Sequence, residues 1–326
     1  MSHEYYYEYK DRLTMQFIRD IYLLDLITSS LTTRHNFTAK FSWNRIINHV
    51  KKFDTSYNFE DAQTLLELSL LTSTEIPLSI PSIESIASIE SIASIASIAS
   101  TLQHTVLKYS VCPQPVVATV IPQSPMNEPT VLGHILYDKR NSVLYIVFTG
   151  TVNGCMAMVD LDYPQSTIDE LRNAAPDIKC HRGFYRAYTS IRSILVNTVK
   201  QYIVQDPALQ IVITGHSLGG ALSQLCAYDL AYYQPIHYSF AAPMVFNPTG
   251  AYAFDKFVKY SHRIANISDL VIMAPLAVMP NGDAFCHIGQ LIYFQHNLGD
   301  FSLNHTFSYM LQYELDYQMY EVAKDK

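Results

Sequence analysis

The run Ile211-Val212-Ile213-Thr214-Gly215-His216-Ser217-Leu218-Gly219-Gly220 constrains this chain more than any other segment. Its β-branched residues favour a buried strand, and the residues from Ala221 to Tyr233 carry the pattern of a helix. The junction reads G-x-S-x-G. A strand that turns at once into a helix through a serine forces that serine onto a tight, strained bend. Small residues are then needed wherever a Cβ would strike the neighbouring strand or helix. The bend lifts the hydroxyl above the sheet edge and aims the Leu218 N–H at any oxygen on a carbon under attack. Ser217 is therefore the candidate nucleophile.

A serine hydroxyl is a poor nucleophile at neutral pH, so an imidazole must take its proton and a carboxylate must orient the imidazole. On a strand–serine–helix scaffold the acid and then the histidine follow the serine in the chain. Asp269 sits just past a strand-like segment, His262 to Ile267, and is the favoured acid. Asp255 falls inside a helical pattern, and Asp283 lies in an Asn-Gly-Asp loop that needs a polar residue anyway. Three histidines follow: His287, His296 and His305. His287 leads into the apolar run Ile288 to Phe294 and reads as a structural strand-edge residue. His296 lies in a polar loop. His305, at the start of a helix expected over Phe307 to Leu315, is favoured as the base. The second oxyanion donor besides Leu218 is expected at Thr151, where Phe148-Thr149-Gly150-Thr151 ends a strand.

The surroundings support an α/β fold. Val131 to Tyr137 and Val143 to Phe148 flank a polar four-residue turn and predict a β-hairpin. A helix over Tyr185 to Ile203, the serine turn and strands at His237 to Phe240 and His262 to Ile267 continue the alternation. That order predicts a mostly parallel central sheet flanked by helices. The chain divides by pattern into an N-terminal helical region (1–75), a Ser-Ile low-complexity insertion or linker (76–103) and a catalytic domain (104–326). Helical periodicity covers Asp11 to Leu31, Trp43 to Phe53 and Asp61 to Leu71. These helices are expected to pack on the following domain or cap it. The Ser-Ile pairs from Ser79 to Ile98 repeat every three residues, a period that neither helix nor strand keeps on one face.

Composition excludes some classes. A formal net charge of −7 without a Lys/Arg cluster argues against a nucleic-acid binder. The five cysteines, Cys112, Cys155, Cys180, Cys226 and Cys286, form no C-x-x-C pair and no zinc-type spacing with histidine. Free thiols in a reducing compartment are the expectation, and an intracellular, cytoplasmic location follows from it and from the polar N-terminus. No stretch approaches the ~18 apolar residues of a spanning helix.

Several segments together resemble the class 3 lipases, the fungal triacylglycerol-lipase-like α/β-hydrolases. They are Ile146 to Thr151, His181-Arg182-Gly183-Phe184, Gly215 to Gly220, Ser268-Asp269-Leu270-Val271 with Pro275, and His287-Ile288-Gly289, in family order across roughly 106–315. The resemblance implies Ser217, Asp269 and His305 as the triad, Thr151 and Leu218 at the oxyanion hole, and a supporting role for His181. It also implies a lid over Val152 to Tyr163. The chain departs from the family at Thr149, where a basic residue is usual, and at Leu276-Ala277, where further prolines are usual. The expected activity is hydrolysis of acyl-lipid esters through an acyl-enzyme, with no metal or other cofactor and with transient contact at a membrane or lipid-droplet surface. A non-lipid esterase, or an inactive lipid-binding scaffold, is the alternative.

Overall fold

The computed structural model describes residues 52–72, 102–109, 130–150, 162–171 and 174–313. Thr151, nearly all of the expected lid, the Ser-Ile repeat, Cys112, Cys155 and the helices expected before residue 52 lie outside the described residues.

The core is a seven-stranded sheet. In chain order its strands are β1 (Leu102–Tyr109), β2 (Thr130–Asp138), β3 (Val143–Phe148), β6 (Gln210–His216), β7 (Ile236–Phe240), β8 (Tyr260–Asn266) and β9 (Gln290–Phe294), which are also spatial neighbours in that order. The short strands β4 (Gln165–Thr167) and β5 (Lys179–His181) pair separately. The expected hairpin is β2–β3, antiparallel, with Asp138 opposite Val143. The Asp138 carboxylate closes its turn by accepting from the Arg140 guanidinium and the Asn141 amide. From β3 onward every pairing is parallel. Such a sheet must be covered on both faces.

Alternation along the strands sorts the two covers. Leu144, Ile146, Phe148, Ile211 and Ile213 face one hydrophobic layer. That layer is closed by α2 (Arg182–Gln205), α3 (Leu218–Asp229) and α4 (Pro248–Phe257). Val143, Tyr145, Val147, Val212, Tyr238 and Phe240 face the other. There they meet Leu65, Leu66 and Leu68 of α1 (Phe59–Thr72), with Tyr309 and Tyr313 from a helical segment over 301–313. Each fully buried leucine contributes roughly 1.5–3 kcal/mol. The Asn58 carboxamide accepts from Asp61 N and caps the start of α1. Gln210 ties the chain entering α1 to the sheet: its side chain accepts from Phe53 N at 2.7 Å and donates to Phe53 O at 2.8 Å.

Two helix boundaries differ from the sequence expectation. The helix after the serine begins at Leu218, because the chain enters helical geometry in the residue after Ser217. It stops at Asp229, and a separate 3-10 turn spans Ala231–Tyr233. His305 was expected ahead of a helix starting at Phe307. It lies instead within a π-helical turn, Leu303–Phe307, of the segment over 301–313. The Asp300 carboxylate accepts from Leu303 N at 2.9 Å and starts that segment early.

Helix α3 lies unusually close to the sheet. A Cβ on Gly219 would sit 2.3 Å from Phe148 O and 2.8 Å from Thr149 O, both backbone atoms. Gly219→Ala should therefore lower stability by about 1–3 kcal/mol, the usual range for overpacking, read as a fall in the urea midpoint. An unchanged midpoint would show that helix and strand can separate at no cost.

Candidate active site

Ser217 follows β6, Asp269 follows β8 and His305 follows β9, so all three stand beyond the carboxyl ends of parallel strands, where open α/β sheets place ligands. Ser217 has φ 60° and ψ −126°, a left-handed conformation that a serine adopts only when its surroundings impose it. They do so here. Ser217 N donates to Phe240 O at 2.9 Å, and a Cβ on Gly215 would fall 2.2 Å from Gly219 O. The bend is thus held by the adjacent strand and by a helix packed too tightly for anything but glycine.

The strained turn presents Ser217 Oγ to His305 Nε2 at 2.7 Å. His305 Nδ1 lies 2.9 Å from Asp269 Oδ2. Beside a carboxylate, Nδ1 carries the proton and donates, which leaves the Nε2 lone pair to accept from the serine hydroxyl. Asp269 is fully buried and its carboxylate is held from three directions. Oδ2 also accepts from Tyr309 OH at 3.0 Å, and Oδ1 accepts from Val271 N at 2.9 Å. The same Tyr309 hydroxyl accepts from Asn266 N at 2.9 Å. Burial and the Asp269 charge push the Tyr309 phenol well above its ordinary range, so it stays a donor.

His216 supports His305 from the other side. Its Nε2–H donates to the His305 carbonyl at 2.8 Å, with the two rings 4.8 Å apart. Burial, reinforced by neighbouring His305, lowers His216 to about 3 and keeps it neutral. Leu218 opens α3, and the N–H groups of a first helical turn have no intrahelical acceptor. The helix dipole adds positive potential at that point.

The competing residues are occupied elsewhere. Asp255 lies on α4 and accepts from Gly289 N at 2.8 Å. Asp283 accepts from Gln165 N and from the Asn281 amide. His296 is buried against Gln312, 2.9 Å from its Oε1. His287 is held to about 4 by burial and by the Arg263 charge. His181 caps α2, with its ring stacked 3.8 Å from that of Phe184. Thr151 is outside the described residues. The sequence reading missed Tyr309, His216 and Asn266. The first two had visible signals, a tyrosine four residues beyond the chosen histidine and a histidine inside the serine motif. Among the described residues, no group of three or more His, Cys, Asp or Glu is placed to hold a metal.

Comparison with known proteins bears out the resemblance. Residues 145–279 match the family model "Lipase (class 3)". A lipase of Rhizomucor miehei is 31% identical over 157 residues, 45% of this chain and 40% of that protein. A Rhizopus niveus lipase is 27% identical over 48% of this chain and 40% of its own length. The "Secreted mono- and diacylglycerol lipase A" of Penicillium cyclopium is 26% identical, over 45% and 48%. The chain thus spans less than half the length of these relatives. The solved Rhizomucor miehei lipase propeptide complex, in a deletion mutant, superposes with TM-score 0.54 at 21% identity, covering 73% of this chain and 67% of that one. The α/β-hydrolase fold is common to both.

Buried neutral histidines make acid costly. His216 and His237 are lowered to about 3, and burial is the leading cause for both. Unfolding returns each to about 6.5, so below that pH the unfolded chain binds more protons and stability falls. Each contributes a slope of roughly 1.4 kcal/mol per pH unit between about 6.5 and 3. Urea unfolding between pH 7 and 4.5 should show this decline, and His216→Asn should reduce the slope by about one proton. A slope identical in the two proteins would place the His216 proton elsewhere.

Proposed function

We propose that this chain is a serine carboxyl-ester hydrolase acting on acyl lipids. The observation that carries the reading is the continuous hydrogen-bonded line from Ser217 Oγ through His305 to Asp269 Oδ2. In the proposed reaction Ser217 attacks the ester carbonyl while His305 takes its proton. The carbonyl oxygen becomes an oxyanion held by the N–H groups of Leu218 and Thr151. His305 then protonates the departing alcohol, leaving an acyl-serine. Water activated by His305 releases the fatty acid. Asp269 keeps Nδ1 protonated and stabilises the imidazolium. The residues need no metal or organic cofactor for these steps.

An apolar acyl substrate fits the loop that carries Asp269. Leu270, Met273, Leu276 and Val278 are each more than 60% exposed there. Exposed apolar groups clustered on one loop mark a surface for apolar partners, and transient contact with a membrane or lipid droplet is part of the proposal. No described helix is long and apolar enough to cross a membrane. The unpaired thiols of Cys180, Cys226 and Cys286 support an intracellular, reducing location. The proposed domain organisation is 1–75, 76–103 and 104–326, with α1 of the first segment packed on the sheet of the third.

Hydrolysis of medium-chain nitrophenyl esters tests the assignment. Ser217→Ala and His305→Ala should each lose on the order of 10⁴–10⁶ in kcat, and Asp269→Asn about 10⁴. His296→Ala should stay within tenfold of the parent. A fluorophosphonate probe should label the parent but not Ser217→Ala. Equal labelling or equal rates would remove Ser217 from the mechanism, and an inactive, unlabelled parent would favour a non-catalytic lipid-binding protein.

A further inference from the structure

Arg263, in the middle of β8, is 8% exposed. Among the described residues no ion pair reaches it, and its Nε has no hydrogen-bond partner. A guanidinium cannot escape burial by releasing its proton under ordinary conditions. A buried charge of this kind is very costly unless an opposite charge or hydrogen bonds compensate it.

A neighbour shares the deficit. Ser239 on β7 is in register with Arg263 and so projects from the same face of the sheet, and its buried Oγ is also unpartnered. His287 is kept neutral by burial and by the Arg263 charge and donates to the Ile272 carbonyl, so its unpartnered Nδ1 is a lone pair with nothing to offer an anion. On the other side β9 brings Leu291 into register with Arg263, half exposed and with nothing to offer a cation. Asp255 on α4 attracts Arg263 electrostatically, yet its carboxylate is engaged with Gly289 N.

We propose that Arg263, with the Ser239 hydroxyl, forms a binding site for one compact monovalent anion, either chloride or a carboxylate the size of formate. A single buried cation favours a single negative charge, and the Asp255 carboxylate nearby disfavours a multivalent one. The site is separate from the serine centre. It lies two strands from Gly215 in the row Gly215–Ser239–Arg263–Leu291, roughly 10 Å at the usual strand spacing. It does not depend on the reaction proposed for Ser217.

The test is thermal unfolding of the full chain in sodium chloride, sodium formate and sodium gluconate at matched ionic strength, gluconate being too bulky for a buried site. A ligand held only by the folded state raises the melting temperature and saturates. Chloride or formate should raise Tm by about 2–4 °C over gluconate, and whichever acts identifies the anion. Leu291→Glu sets a carboxylate on the adjacent strand beside Arg263. It should abolish the response and melt in gluconate at least as high as the parent does with its anion. Arg263→Met should also lose the response. If that variant fails to fold, Leu291→Glu alone decides. Equal melting of the parent in all three salts would mean that water alone solvates the guanidinium and would overturn the site. So would a response that persists in Leu291→Glu.

Discussion

The backbone-to-backbone approach of α3 to the end of β3 and to the turn before it governs the geometry of the site. Gly215 and Gly219 stand where any side chain would enter a carbonyl oxygen of the neighbouring element. The helix can therefore begin in the residue after Ser217, and Ser217 must adopt positive φ. Tight packing on either side holds that strain: Leu218, Ala221 and Leu222 are buried on the α3 side, and Ser217 N is bound to Phe240 O on the strand side. Loosening the contact would relax the turn and lower the hydroxyl away from His305. The fold's stability and the exposure of the Ser217 hydroxyl thus rest on the same few atoms.

A second constraint acts through Asn266, the last residue of β8. Its side chain donates to the carbonyls of His296 and Asn304 and accepts from His296 N, while its backbone N donates to Tyr309 OH. It therefore joins the strand that leads to Asp269 to the loop and π turn that carry His305. The π turn widens the helix by one residue per turn, and Tyr309, one turn beyond His305, reaches the same carboxylate oxygen that His305 uses. Asp269 and His305 are positioned by one network, and the neutral His216 fixes the backbone beneath His305.

The serine turn was legible because steric exclusion leaves a direct record in sequence: glycines at set distances from a serine, between a β-branched run and a helix. Asp269 and His305 were legible through chain order, which the parallel topology imposes. Other features left weaker traces. Nearly every residue from Asp61 to Leu70 is buried, so α1 shows no polar stripe to reveal which face meets the sheet. The π turn hides the pairing of Tyr309 with His305, since an i, i+4 spacing in an ordinary helix implies only a shared face. Arg263 read as one more residue of a strand, because the lack of a partner is a property of three elements brought together in space.

The loop from Ile267 to Met279 shows how a rigid acid and an open apolar rim coexist in one segment. Asp269 and Ile272 are buried while Leu270, Met273, Leu276 and Val278 face outward. What holds the loop is mostly backbone: Met244 N to Ala274 O, Phe285 N to Ala277 O, Met279 N to Asp283 O, and Val271 N to the Asp269 carboxylate. Bonds of this kind are indifferent to the side chains of the outward residues. Those side chains can therefore change in size and polarity without moving the carboxylate that orients His305. The physical separation leaves the outward residues free to vary, and it leaves the charge relationship between Asp269 and His305 to the buried network behind them.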